Sequence, residues 1–193
     1  NIPLNSNGKN QANKASEFLN EIKFNKAFSS SMDRPYETAK IILQNKPDIK
    51  ITKIEKLIEI SHGLWEGKLE NEIKEQWPEL LKNWHEKPEE VIMPEGECIG
   101  EVSKRSVKAW EEICLTQKKK DLTLLVAHDA VNKTLICKIL GIDVSNIWMI
   151  KQGNGGITII DLFDDPQKDY VISALNITTH LGGILDSTAS GAL

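Results

Sequence analysis

The sequence predicts an α/β fold, a three-layer α/β/α sandwich around a mostly parallel sheet, and three observations carry that prediction. Strand-like and helix-like stretches alternate along nearly the whole chain. From Leu122 to Ala127 five of six residues are apolar, the pattern of a strand covered on both faces. That stretch runs directly into Val131, Leu135, Ile136 and Leu140, apolar residues at helical spacing closed by Gly141.

The other elements follow from local pattern. A polar helix is expected over residues 9–21, announced by Asn5, Ser6, Asn7 and Gly8, with Ala12, Ala15, Phe18, Leu19 and Ile22 on one side. A short strand, 26–29, comes next. Asp33 is a good cap for a second helix reaching about Gln44, and Pro35 suits an early helical position. Residues 49–54 alternate as a strand. A loop punctuated by Gly63 and Gly67 spans 59–67, followed by one helix over 69–84, an irregular stretch over 88–96 and a long helix over 99–117. After the segment around His128 come Gly153, Asn154, Gly155 and Gly156, then strands over 157–163 and 170–175. Asp164, Asp165 and Pro166 are expected to join these as a hairpin. A length of 193 residues suits one domain, residues 1–193, with 182–193 as a mobile tail.

Composition excludes more than it assigns. The chain has 24 basic and 28 acidic side chains, a net charge of −4, which weighs against a nucleic-acid surface. The run Lys118–Lys120 reads as a solvated helix end. Nothing approaches the ~20 consecutive apolar residues of a membrane span. Cys98, Cys114 and Cys137 are odd in number and far apart, forming neither a metal-type pair nor a disulfide framework, so a reduced, cytoplasmic setting is expected. A second copy of the chain, or an additional domain upstream of Asn1, is left open as a partner.

Three positions are candidates for chemistry. His128 stands at the carboxyl end of a strand and just before a helix amino terminus, where free N–H groups and the helix dipole favour an anion such as phosphate. Open α/β sheets place ligands at that edge. Arg34 stands near a helix start, where a cation opposes the dipole; beside Ser29, Ser30 and Ser31 a bound phosphate would reward it, and a surface pair with Glu37 or Asp33 is the plainer alternative. Glu59, flanked by Ile58 and Ile60 and near Trp65, is placed to be partly desolvated and so to serve as a general acid. His62 and Glu66 share its loop, and spacing alone does not choose among them. His85 and His180 read as surface residues. A metal site built from Glu59, His62, Glu66 and His85 lacks standard ligand spacing, and neither a metal nor a cofactor is predicted.

Taken in order, these positions resemble a family. Pro3, Leu4, Asn5, Gly8, Gln11 and Ala12, then Ser29, Ser30, Arg34, Thr38 and Ala39, are similar to the histidine phosphatase superfamily in its phosphoglycerate mutase-like branch. Leu57, Glu59, Gly63, Trp65, Glu66 and Gly67 continue the match, as do Gly96 and Glu97 and then Val126, Ala127 and His128. The resemblance implies phosphoryl transfer through a phosphohistidine. A first histidine, in an Arg-His-Gly motif on the first strand, attacks phosphorus. His128 matches the second histidine, which donates to the transferring group. Arg34 matches one of two arginines that clamp the phosphate, and Glu59 the general acid that protonates the leaving oxygen and later activates water. The substrate implied is a small phosphorylated molecule.

The chain departs from that pattern. It contains no Arg-His-Gly, a motif the family places shortly before the segment that begins here at Pro3. The nucleophile, the first arginine and the first strand are therefore expected to lie upstream, and the 193 residues alone to be inactive. Asp129 replaces the glycine that usually follows the second histidine, and Cys98 the serine after Gly-Glu. Three functions stay in view: phosphomonoester hydrolysis, phosphoglycerate mutase chemistry, and non-catalytic binding of a phosphorylated ligand. Mutases carry a long, arginine-rich insertion after the Trp-Glu-Gly segment; the interval from Gly67 to Gly96 is short and holds no arginine, which favours hydrolysis.

Overall fold

The computed structural model describes residues 1–163 and 170–182. The elements in chain order are α1 (Ser6–Phe18), β1 (Lys26–Ser30), α2 (Asp33–Ile42), β2 (Ile51–Ile54), α3 (Glu70–Gln76), α4 (Pro78–Glu86), α5 (Ile99–Leu115), β3 (Thr123–Val126), α6 (Asp129–Leu140), β4 (Ile157–Leu162) and β5 (Tyr170–Ile177). β1 is central in a parallel sheet of order β2-β1-β3, with Ala27 opposite Ile51 on one side and Leu124 on the other. Parallel neighbours need a crossover, and α2 supplies the one between β1 and β2. β4 and β5 form the expected antiparallel hairpin. Its turn at Asp164, Asp165 and Pro166 lies outside the described residues, as does the expected tail beyond Gly182.

Alternation along the strands builds three layers. Ala27 of β1 and Leu124 of β3 point into a small apolar cluster with Ala15 of α1 and Ile42 of α2. Phe28 and Leu125, one residue on, point the other way, against the larger cluster that contains Val102 and Trp110 of α5 and Val131 and Leu135 of α6. Ile51 and Ile54 of β2 divide between the same two clusters. No helix of the described residues is long and apolar enough to cross a membrane.

Four elements differ from expectation, each for a local reason. α1 begins at Ser6, because the Asn5 side chain accepts the Gly8 N–H at 2.8 Å and caps the helix there. Its buried side is Ala12, Ala15 and Ser16; Phe18 is half exposed and stacks on His180. Asp33 is the first residue of α2 rather than its cap. Met32 takes the cap position, and the Ser30 hydroxyl accepts the Met32 N–H at 3.3 Å. The helix expected over 69–84 is two helices, since Pro78 excludes the helical conformation at Trp77, which sits at φ −138° and ψ 59°. The sheet, finally, is not continuous. The hairpin forms a separate two-stranded sheet, so β2, β3, β4 and β5 each have one edge without a strand partner among the described residues.

Candidate active site

Parallel pairing sets the carboxyl ends of β1 and β3 side by side, and the site lies there. His128 follows β3 and caps α6 with its backbone. Its ring is buried, and its Nε2 lies 3.0 Å from the Ser30 hydroxyl at the end of β1. Burial, and then the nearby cations Arg34 and Arg105, push the imidazole down to about 4, so it is neutral at physiological pH. A hydroxyl partner satisfies one ring nitrogen. Ser30→Ala is expected to cost about 1 kcal/mol in chemical denaturation, the usual value of such a bond; an unchanged midpoint would show that the hydroxyl does not hold the ring.

Arg34 occupies the first turn of α2. Neither alternative partner engages it. Glu37 pairs with Lys9 at 3.0 Å and accepts the Leu4 N–H, and Asp33, though adjacent in the chain, forms no ion pair with Arg34. Among the described residues the Arg34 guanidinium has no salt-bridge or hydrogen-bond partner. It faces a cavity of about 100 Å³ instead.

Glu59 lies on the same cavity. Burial dominates its environment and pushes the carboxyl up to about 7; Asp129 adds repulsion, while N–H groups of Ile60 and Asp129 and the charge of Arg34 oppose the shift. The Ile60 N–H donates to Oε1 at 3.0 Å. At neutral pH the group is therefore divided between proton donor and proton acceptor.

A scaffold that the sequence reading missed holds this loop. Arg105, on α5, donates from Nη1 to the carbonyls of Lys56 and Ile58 at 2.9 and 2.6 Å, and from Nη2 to the Glu59 carbonyl at 3.2 Å. Its Nε and Nη2 also form a fork on the Glu97 carboxylate, both at 2.9 Å. Glu97 in turn accepts the Ser61 N–H at 3.0 Å, and the Glu97 N–H donates to the Ser61 carbonyl at 2.9 Å. The two loops approach so closely that a side chain on Gly63 would collide with the Pro94 carbonyl, and one on Gly96 with that of Ser61. Gly63 also sits at φ 53°, where glycine is favoured. A signal was present in the sequence: among 24 basic residues only Arg34 and Arg105 are arginine, and a fork is what neither position can take from lysine.

The remaining wall of the cavity is formed by His62, Asp129 and Lys133 on the polar side and by Trp84, Ile147 and Trp148 on the apolar side. Trp148 donates to the Trp84 carbonyl at 2.9 Å, and His62 packs edge-on against Trp84. Ile147 and Trp148 belong to the turn Val144–Met149, which local pattern did not announce. Glu66 is exposed and meets Ser61, while His85 is exposed and lies 3.8 Å from Glu70. His180 contacts Phe18 and the Gly155 carbonyl. Arg34 and Glu59 thus line one cavity, the buried His128 lies near Arg34 and directly before the cavity-lining Asp129, and Glu66, His85 and His180 stand outside it. His62 is the sole addition from the candidate metal set.

The sequence profile of the histidine phosphatase superfamily, branch 1, matches residues 1–176. The chain belongs to this superfamily. The chain is 32% identical to phosphoserine phosphatase 1 of Hydrogenobacter thermophilus, over 93% of this chain and 82% of that protein. Its fold is similar to that of YhfR from Bacillus stearothermophilus, with a TM-score of 0.86, 23% identity, and 94% of this chain and 88% of the other covered. A mycobacterial glucosyl-3-phosphoglycerate phosphatase solved with inorganic phosphate superposes with a TM-score of 0.82 at 22% identity, over 92% and 89% of the two chains. The solved structures establish the phosphoglycerate mutase-like α/β fold; the sequence relatives include phosphatases of small phosphorylated compounds and, at 25–26% identity, phosphoglycerate mutases.

Proposed function

We propose that this chain supplies the phosphate-binding and proton-transfer groups of a phosphomonoesterase that works through a phosphohistidine, with the nucleophilic histidine carried by a segment upstream of Asn1. One observation carries the reading: Arg34, with no side-chain partner among the described residues, and a Glu59 carboxyl held near neutrality line one cavity, and the buried His128 imidazole lies near enough to feel the Arg34 charge. Arg34 and His128 seat the phosphoryl oxygens by charge and hydrogen bonding. Burial is the main reason that His128 is neutral, and a bound dianion offsets the two arginine charges that add to it, strengthening the ring as a donor.

In the first step the upstream histidine nitrogen bonds to phosphorus as the ester P–O bond breaks, and Glu59 gives its proton to the departing alkoxide. In the second, the Glu59 carboxylate takes a proton from water, whose oxygen bonds to phosphorus while the P–N bond breaks. Inorganic phosphate leaves, and both histidine and protonated Glu59 are restored. Separating the two proton transfers suits a group whose pKa lies close to the working pH. The free edge of β3 is compatible with this placement of the nucleophile. A parallel strand added there brings its own carboxyl end beside that of β3, next to His128, and removes an open edge that a sheet otherwise has to protect. Hydrolysis is preferred to mutase chemistry because no arginine lies between Gly67 and Gly96 to hold a second phosphate. A reduced, cytoplasmic setting fits three free cysteines, of which Cys114 and Cys137 are buried.

The test is turnover of an aryl phosphate. The 193-residue chain is expected to be inactive, and the chain extended by its genomic upstream segment, bearing Arg-His-Gly, to be active. In the extended protein Glu59→Gln should slow turnover by about 10²–10⁴, the range of a lost general acid. Turnover by the short chain that disappears in His128→Ala contradicts the placement of the nucleophile. An upstream segment without Arg-His-Gly favours a phosphate-binding domain over an enzyme.

A further inference from the structure

The part of the cavity next to Glu59 carries charge that phosphate chemistry does not require. Asp129 Oδ2 accepts from Lys133 Nζ at 2.9 Å, one helical turn along α6. Such a pair on a solvated helix face would be unremarkable, but here Lys133 is 8% exposed and its ammonium lies 5.1 Å from the centre of the Trp148 ring. Its remaining N–H groups meet no acceptor among the described residues. The second oxygen of Asp129, Oδ1, is buried without a hydrogen-bond partner, an arrangement proteins rarely leave standing unless a ligand or water completes it.

Position narrows what the ligand is. Both residues line the cavity, and Asp129 lies near enough to act on the charge of the Glu59 carboxyl, the group assigned to protonate the leaving oxygen. Whatever is attached to that oxygen therefore lies against Asp129 and Lys133. A negative and a positive group, adjacent and each with unused hydrogen-bonding capacity, match a leaving alcohol that carries an ammonium and a carboxylate on one carbon. A purely anionic alcohol would meet Asp129, and a purely cationic one Lys133, with like charges facing.

We propose that Asp129 and Lys133 select a phosphate ester whose alcohol is an α-amino acid, Asp129 accepting from the ammonium and Lys133 donating to the carboxylate. The assignment rests on the phosphomonoesterase reading, since that reading fixes which side of the cavity holds the leaving group. Calorimetric titration of the 193-residue chain tests it with four probes: inorganic phosphate, O-phosphoserine, its decarboxy analogue O-phosphoethanolamine, and its deamino analogue O-phospho-3-hydroxypropanoate. O-phosphoserine is expected to bind roughly tenfold or more tightly than either half-analogue, the worth of one charged hydrogen bond. Asp129→Asn should abolish the advantage over the deamino analogue and leave that over O-phosphoethanolamine; Lys133→Met should do the reverse. Equal binding of all three esters by the unaltered chain, with phosphate still bound, overturns the selection and spares the phosphatase reading. Loss of phosphate binding itself overturns both.

Discussion

Methionine in place of Arg105 is expected to destabilise the protein by about 2 kcal/mol, below what removing one partner of a fully buried ion pair costs because both side chains keep some contact with water. The physical reason is the number of groups stranded together. Arg105 neutralises Glu97 through two N–H bonds and simultaneously satisfies the carbonyls of Lys56, Ile58 and Glu59. With the guanidinium gone, a carboxylate drawn partly out of water keeps only the Ser61 N–H, and three carbonyls lose a donor. Arg105→Lys should recover little, because an ammonium cannot present the planar fork that reaches both loops. Urea denaturation measures the loss, and amide exchange across residues 55–61 should accelerate selectively. A change within 1 kcal/mol for Arg105→Met would mean that the interleaved glycine contacts hold the loop unaided.

Glu59→Gln is expected to stabilise the protein above neutral pH while disabling it. Burial raises the folded-state pKa of Glu59 from 4.5 to about 7. Between those values the unfolded chain has released the proton and the folded chain retains it, so stability falls as pH rises from 4.5, and the loss is complete once Glu59 ionises in the fold above about 7. That shift is worth roughly 3 kcal/mol. Glutamine never ionises, so at pH 8 the variant should exceed the parent by about that amount, and at pH 4 by nothing.

His128 acts in the opposite sense. Its folded-state pKa is lowered from 6.5 to about 4, so as pH falls through that window the unfolded chain gains a proton that the folded chain refuses, and stability declines toward acid. The two slopes oppose one another where the windows overlap. The parent should therefore show a shallow dependence there, Glu59→Gln a rise with pH, and His128→Gln a fall. Denaturant midpoints measured from pH 4 to 8 separate the three profiles. A Glu59→Gln variant no more stable than the parent at pH 8 would remove burial as the cause of the raised pKa.

The fold was legible where its causes are local. The apolar run ending at Ala127 and the helical spacing from Val131 are both consequences of short-range periodicity, and they located His128 at a strand-to-helix junction before any contact was known. The break at Trp77 was equally local, since Pro78 dictates it, and the uninterrupted helix over 69–84 overlooked that signal. The turn Val144–Met149 had no comparable mark. It is shaped by Trp148 reaching the Trp84 carbonyl, a partner 64 positions away.

The sequence by itself determined which elements exist and which side chains stand at their ends, because backbone preferences and apolar periodicity act over a few residues. Arg34, Glu59 and His128 were candidates on that basis, and the family resemblance, not local pattern, set Glu59 apart from His62 and Glu66. Only tertiary structure decided that Arg34 and Glu59 share a cavity, that His128 lies near enough to feel the Arg34 charge, that Arg105 and Glu97 fasten the Glu59 loop, and that the carboxyl titrates near neutrality while the imidazole is neutral there. Those outcomes depend on burial and on charges brought together from distant segments, and a one-dimensional pattern holds no record of either.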